Sequence, residues 1–161
     1  MNVATPIEAD PRQAHIDMMN RYAHALDTCD WALLDSLFTE DVVFLAQVLV
    51  NRQPSGTDDV RMEGRDILIA SLKHIFDGLA ATHHLLGNYV VELAADGASA
   101  KASCYMRAYH GGAGPRAHLF EESLGRFDFQ TVRTGAGWKI RRMNETIMVM
   151  LGTAEAFPPQ T

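Results

Sequence analysis

The second half of the chain consists of β-rich segments that follow one another through short, polar or glycine-rich connections. The predicted strands are residues 82–93, 98–110, 118–132 and 138–150. Strands joined by tight turns pair in the antiparallel sense, because a parallel pair needs a longer crossover. Such a sheet buries one of its faces. This half of the chain therefore predicts an antiparallel meander that a second layer must cover.

Helices predicted from the apolar periodicity of the first half supply that layer. Apolar side chains recur at helical spacing over residues 11–28 and 63–81, and a short helix is predicted over 31–38. Val42–Val50 is predicted as a strand and Asn51–Met62 as a loop. Three N-terminal helices over a curved antiparallel sheet make an α+β fold, and a cavity between the layers is a natural place for a small molecule.

Length and composition indicate one globular domain. The chain has 161 residues, 47% apolar and 21% charged, so residues 1–161 are predicted as a single domain with residues 1–10 as a loose N-terminal arm. The net charge of −6 and the scattered basic residues argue against nucleic acid as a partner. No signal peptide and no apolar run of about 20 residues is present, so we expect no membrane partner and a cytoplasmic location. Cys29 and Cys104 are expected to be reduced thiols.

Asp27 stands at the end of the first predicted helix, beside its apolar stripe. Aspartate is a poor helix former and is costly to bury without a partner. The residues alone leave two interpretations open: Asp27 caps the second helix or faces water, or its carboxylate pairs with a histidine. His83 and His84 are neighbours on a predicted strand, so only one can face a pocket. The register with Leu86 and Asn88 favours His84.

Several motifs, in this order, span roughly residues 12 to 152. They are Tyr22-Ala-His-Ala-Leu-Asp27-Thr-Cys-Asp30-Trp31, Leu37-Phe-Thr-Glu-Asp41, Glu63-Gly-Arg-Asp66, Thr82-His-His-Leu-Leu-Gly-Asn88 and Gly137-Trp-Lys-Ile140. Together they resemble the SnoaL-like family of the nuclear-transport-factor-2-like superfamily. The resemblance implies a cone-like α+β barrel, in which a curved antiparallel sheet is covered by three N-terminal helices. It is specific for the fold and weaker for the reaction.

Within this family the pattern is similar to scytalone dehydratase, bile-acid 7α-dehydratase and hexachlorocyclohexane dehydrochlorinase. The similarity implies that Asp27 orients His84 as a catalytic base, and that His110 corresponds to a second histidine of the scytalone enzyme. Two positions depart from these enzymes: Leu26 replaces a substrate-facing tyrosine, and Met143 replaces a functional arginine. The resemblance also implies a homo-oligomer, either a trimer or a dimer.

The candidate substrate-binding residues are Tyr22, Leu26, Asn88, Tyr105 and Met143. Asn88 and Tyr105 have a structural alternative, as ordinary polar residues of a strand. His110 likewise has two interpretations, as an acid that protonates a leaving hydroxyl or as an exposed residue at a strand end.

No metal and no cofactor is implied by the sequence. His83 and His84 are adjacent on a strand and cannot easily ligate one ion, and zinc-site spacings are absent. No glycine-rich phosphate loop, nucleophile elbow or Cys-X-X-Cys motif appears.

The resulting prediction is a cofactor-independent lyase that performs a dehydratase-like β-elimination on a hydrophobic cyclic or aromatic small molecule. His84, oriented by Asp27, removes the proton, and the leaving group is water, a halide or a small carbonyl fragment. Two alternatives stay open: an isomerase or cyclase with the same proton-abstracting dyad, and a protein that binds a small molecule without converting it.

Overall fold

The three predicted helices all form, and the first two begin where capping residues place them. The computed structural model describes residues 10–50, 53–54 and 60–159. The Asp10 carboxylate accepts a hydrogen bond from the Arg12 amide, and Pro11 occupies the first helical position. The predicted loose arm lies outside the described residues, apart from Asp10. The helices are α1 (Pro11–Asp27), α2 (Trp31–Ser36) and α3 (Arg65–Asp77).

Two helices are shorter than their apolar periodicity predicted. The sequence placed the second helix up to Phe38 and the third up to Ala81, whereas they end at Ser36 and Asp77. In each case a strand begins within two residues of the helix end, and its ladder hydrogen bonds replace the helical ones.

Seven strands form one sheet. The last four make the predicted meander, with antiparallel pairing between successive strands, and this prediction is confirmed. The strands are β1 (Phe38–Val50), β2 (Gln53–Pro54), β3 (Val60–Glu63), β4 (Leu79–Leu93), β5 (Ser99–Gly112), β6 (Phe120–Thr134) and β7 (Gly137–Gly152).

The sheet departs from the prediction around β1. This strand begins at Phe38, not Val42, and it pairs in parallel with β7, so the sheet is not antiparallel throughout. Residues 60–62, predicted as loop, belong to β3 and pair antiparallel with β1. Gln53 and Pro54 form β2, which pairs with the end of β1, and residues 55–59 lie outside the described part.

The sheet curls around the helices without closing. Its strand order is β2-β1-β7-β6-β5-β4, with β3 paired to β1 beside this path, and no described residue of β4 pairs with β1 or β3. Helix α1 packs against β4, and α3 contacts β4 as well as β1 and β3 across the gap. The α+β architecture of three helices on a curved sheet is confirmed, as an open barrel. None of the described helices combines the length and apolar character needed to cross a membrane.

The main core lies between the helices and the concave face of the sheet. Tyr22 of α1 is fully enclosed, with its ring edge-on to three phenylalanine rings, of which Phe127 is 5.6 Å away between ring centroids. Leu68, Leu72 and Phe76 form the buried face of α3. Toward one end of the sheet this packing is incomplete, and a cavity opens there.

Candidate active site

The cavity lies between the concave face of the sheet and helices α1 and α3. Its volume is about 250 Å³, and its wall is mostly apolar. Leu26, Phe44, Met62, Phe127 and Ile147 supply much of this apolar surface. A cavity of this size suits a small ring compound, since sites for larger drug-like ligands run to about 300–1,000 Å³. Polar groups are few, and they fall into two histidine–carboxylate pairs and one further glutamate.

The first pair joins the end of α1 to β4. Asp27 Oδ1 accepts hydrogen bonds from His84 Nδ1 at 2.7 Å and from the Thr82 hydroxyl at 2.9 Å. Its Oδ2 accepts the His84 backbone amide at 2.9 Å. The carboxylate is therefore fixed by three donors from one strand, and the imidazole is fixed by the carboxylate.

These contacts determine the state of both residues. Burial alone would raise the pKa of Asp27, but the hydrogen bonds from His84 and Thr82 outweigh it and the pKa is lowered. An ionised carboxylate can only accept, so His84 Nδ1 carries a proton, and in the neutral imidazole Nε2 is the acceptor. The His84 side chain is only 3% exposed and lines the cavity, and Nε2 has no hydrogen-bond partner among the described residues.

Strand alternation separates His84 from its neighbour. His83 is exposed on the other face of β4, while the His84 ring stacks near Phe76, with centroids 5.9 Å apart.

The second pair lies on the next two strands. His110 of β5 is 7% exposed and lines the cavity, so its interpretation as an exposed strand-end residue is wrong. Its Nδ1 lies 2.6 Å from Glu121 Oε2, and the Ser123 hydroxyl donates to the other oxygen of Glu121. The rings of His84 and His110 are 5.5 Å apart between centroids. Both imidazoles therefore meet at one end of the same cavity.

Glu145 of β7 is a third acidic group in the cavity wall. Burial, reinforced by the negative charge of Glu121, raises the pKa of Glu145 to about 7. Burial and then Glu145 also raise the pKa of the Tyr22 hydroxyl well above its usual value. No sequence motif pointed to Glu121 or Glu145. Alternation with the buried Phe127 and Phe129 would have placed Glu121 on the inner face.

The family follows from comparison with known domains. The profile of the SnoaL-like domain matches residues 8–144. The chain belongs to the SnoaL-like family. This confirms the resemblance predicted from the sequence motifs. Comparison with curated proteins found no match.

Solved structures share the SnoaL-like fold over most of their length. A candidate aromatic ring hydroxylase from Novosphingobium aromaticivorans is 28% identical and covers 90% of this chain and 94% of its own, with a TM-score of 0.76. A candidate scytalone dehydratase from the same organism is 20% identical, with coverages of 88% and 86% and a TM-score of 0.74. A hexachlorocyclohexane dehydrochlorinase of type 2 is 12% identical, with coverages of 89% and 88% and a TM-score of 0.70.

The remaining residues predicted for the SnoaL-like pocket divide into two groups. Tyr22 and Leu26, one helical turn apart on α1, line the cavity. Asn88, Tyr105 and Met143 do not. Asn88 is exposed at a bulge between β4 and β5 and has a left-handed backbone, with φ of 54°. Tyr105 is 52% exposed on the outer face of β5, and Met143 is fully packed in the core rather than open to the cavity.

The end of the SnoaL-like chain closes one side of the cavity. The Phe157 ring lies 5.0 Å from His110 between centroids and lines the cavity. Arg116 holds this segment by donating to the carbonyls of Gly78 and Ala156. Phe157 thus covers His110, which is only 7% exposed.

Other chemistry-bearing residues lie apart from the cavity. Across residues 10–50 and 60–159, no group of three histidine, cysteine or acidic side chains is placed to hold a metal ion. Cys29 is exposed and Cys104 is buried, and both are free thiols.

Proposed function

We propose that the protein is a cofactor-independent, dehydratase-like lyase acting on a hydrophobic cyclic or aromatic small molecule, with His84 as general base. The observation that carries this proposal is the 2.7 Å hydrogen bond between Asp27 and His84 Nδ1 at the wall of an apolar cavity. It leaves Nε2 as an acceptor on the cavity side. A base in this position contributes about 10²- to 10⁴-fold to proton transfer.

In the proposed reaction, His84 Nε2 takes a proton from a substrate carbon. The electron pair of that C–H bond forms a carbon–carbon double bond, and the bond to the leaving group on the adjacent carbon breaks. A leaving hydroxyl takes a proton from His110 in its protonated form and departs as water. The reaction leaves His84 protonated and His110 neutral, and exchange with solvent restores both. The apolar wall and Phe157 support this chemistry by excluding water from the reacting groups.

The comparisons support the proposal at two levels. The likeness to the candidate scytalone dehydratase and the dehydrochlorinase is one of fold, so the reaction is argued from the dyad and not from their names. The 28% identical relative is described as a candidate aromatic ring hydroxylase, which supports a ring compound as the ligand class. The cavity wall, rich in phenylalanine and methionine, is consistent with that class.

We also propose that the protein forms a homo-oligomer. Leu85, Tyr105, Tyr109 and Phe120 expose 40–61% of their surface on the convex side of the sheet. Several large apolar side chains exposed on one face of a sheet mark a contact site in many proteins. Light scattering after size exclusion measures the subunit number, and a monomer at micromolar concentration would remove this proposal.

The function is tested by product mass with matched histidine variants. A panel of cyclic β-hydroxy ketones is incubated with the wild-type protein, His84→Gln and His83→Gln, and products are analysed by mass spectrometry. We expect a product lighter by one water, formed by the wild type and by His83→Gln but not by His84→Gln. Circular dichroism checks that both variants remain folded.

Each other outcome contradicts part of the proposal. Full turnover by His84→Gln would remove His84 from the mechanism. A product of unchanged mass would identify an isomerase or cyclase, the alternative that shares the dyad. Ligand binding without any conversion would identify a binding protein.

A further inference from the structure

Glu145 differs from the other two acidic groups that serve the cavity. Asp27 accepts three hydrogen bonds, and Glu121 is bonded to His110 and Ser123. Within the described part of the chain, Glu145 has no hydrogen-bond or ion-pair partner. It nevertheless lies on the inner face of β7 and lines the cavity. Its polar atoms are thus directed to the space that a ligand would fill.

Among the residues that the structure describes, no cation lies against Glu145 to keep it ionised. Its sheet neighbours in register are Ala46 of β1 and Phe127 of β6, and α3 contributes only apolar side chains to the cavity. The titratable groups that face the cavity are Tyr22 of α1, His84 of β4, His110 of β5 and Glu121 of β6.

Both of these histidines already pair with a carboxylate, and Glu121 adds negative charge. An ionised Glu145 would therefore be a buried, unpaired anion, and such a group favours its neutral form. The raised pKa of about 7 agrees with this expectation. A protonated carboxyl group is a hydrogen-bond donor, unlike the carboxylates of Asp27 and Glu121. A protonated Glu145 thus adds a donor without a described protein partner to a mostly apolar wall.

We propose that Glu145, as a neutral carboxylic acid, donates a hydrogen bond to a carbonyl oxygen of the ligand, which makes cyclic ketones the substrate class. This inference rests on the proposed function and deepens it. When His84 removes a proton from the carbon next to a carbonyl, negative charge develops on the carbonyl oxygen. A donor fixed in a water-excluded cavity stabilises that charge, and a carboxylic acid kept neutral by its surroundings can serve as such a donor.

The same arrangement discriminates between ligands. A ketone satisfies the Glu145 hydroxyl, whereas the parent hydrocarbon leaves a buried donor unpaired, which weakens its binding. A ligand that places a carboxylate at this position meets Glu121 as well as Glu145 and is repelled once Glu145 ionises. Ketone-bearing rings should therefore bind more tightly than rings of the same shape without the oxygen.

The test compares binding of 1-tetralone with that of tetralin, its hydrocarbon counterpart, by NMR titration at pH 6. We expect wild-type protein to bind the ketone about tenfold more tightly, as one net hydrogen bond allows. Glu145→Leu should lose the preference, and Glu145→Gln, which keeps an N–H donor of similar shape, should retain part of it. Glu40→Gln, the same change at an exposed position of β1, should leave the preference unaltered.

A pH series provides a second readout. The wild-type preference for the ketone should fall as pH rises through about 7, while that of Glu145→Gln should stay constant between pH 5 and 9. Equal binding of the two ligands, including undetectable binding of both, would overturn the proposal. So would an unchanged preference in a folded Glu145→Leu, or the same pH dependence in Glu145→Gln.

The binding assay separates this inference from the lyase proposal, because it needs no turnover. His84→Gln should keep the ketone preference while losing activity. A His84→Gln variant that stays active and keeps the preference would contradict the lyase mechanism and still support the role of Glu145. Loss of activity in His84→Gln, without any ketone preference in the wild type, would support His84 as the base and contradict the role of Glu145.

Discussion

The two histidine–carboxylate pairs look alike in outline and differ in their surroundings. In each pair a histidine binds a carboxylate through Nδ1, and the two histidines lie on adjacent strands. Asp27 comes from the end of a helix, its side chain is 21% exposed, and it accepts a backbone amide as well as side-chain donors. Glu121 comes from a strand, is 1% exposed, and lies near a second acid, Glu145.

The difference shows how one cavity can hold a base and an acid side by side. The hydrogen bonds that lower the pKa of Asp27 keep it an acceptor, which fixes the His84 tautomer and directs its lone pair to the cavity. Glu121, the partner of His110, lies near a second acid, and burial, reinforced by the charge of Glu121, raises the pKa of that acid, Glu145. In the proposed reaction the first pair therefore abstracts the proton, and His110 and Glu145 act as donors.

Breaking the first pair should have the largest effect. Asp27→Asn replaces one accepting oxygen by a donor that faces the donors of His84 and Thr82, so the imidazole loses its tautomer and orientation. We expect turnover to fall by about 10²- to 10⁴-fold. Steady-state kinetics measures the loss, with Asp66→Asn, an exposed change on α3, as control. A decrease of less than about tenfold would show that Asp27 does not orient the base.

Breaking the second pair should produce a smaller loss that depends on the leaving group. His110→Gln removes the acid that protonates a departing hydroxyl, and we expect turnover of a β-hydroxy ketone to fall by about 10²-fold. A β-chloro ketone needs no proton for its leaving group, so its elimination should change little. His84→Gln should impair both substrates alike. Equal losses for both substrates in His110→Gln would contradict its assignment as an acid.

The pH dependence of the free energy of unfolding should distinguish Glu145 from Asp27, whose pKa is lowered. The pKa of Glu145 is raised from 4.5 to about 7 in the folded state, so protonation of Glu145 favours folding below pH 4.5, and this contribution is lost as pH rises through 7. Between pH 5 and 9, wild-type protein should lose about 2–3 kcal/mol more stability than Glu145→Gln. Urea unfolding at the two pH values measures this, with Glu40→Gln as control. Parallel curves for wild type and Glu145→Gln would refute the raised pKa.

The smallest effects are expected where polar residues of β4 lie away from the cavity. Asn88→Gly should leave activity unchanged and stability within about 0.5 kcal/mol, because glycine accepts the left-handed backbone. Asn88→Ala should cost about 1 kcal/mol without affecting turnover. Thermal unfolding and kinetics check both variants. A drop in activity for Asn88→Gly would contradict its placement away from the cavity and support a role in substrate binding.

Local patterns in the sequence predicted most of the fold. Helical periodicity located the three helices, and alternation with short turns located the meander from β4 to β7. The parallel pairing of β1 with β7 escaped prediction, because two strands far apart in sequence carry no local sign of their partnership. The strand β3 escaped because Val60–Glu63 is short and follows a polar, glycine-containing segment.

The site was predictable only where the family motifs reach. Asp27, His84 and His110 lie in segments that resemble known enzymes, whereas Glu121 and Glu145 lie outside every such segment. The raised pKa of Glu145 and the pairing of Glu121 with His110 depend on neighbours from other strands. A pattern along the sequence does not show these neighbours. Asn88 was misplaced because a bulge after Gly87 shifts the register of β4. Period-two alternation fails across such a bulge.

The parallel pairing of β1 and β7 has a consequence for how the chain folds. Gln47 and Thr146, which are hydrogen-bonded across this pair, are 99 residues apart in the sequence. Contacts this distant raise the contact order of the molecule and slow its folding, because the loop entropy is lost before the contact is gained. During synthesis on the ribosome, β1 has no long partner until β7 emerges. The wall that carries Glu145 thus assembles only after β1 to β6 have been made.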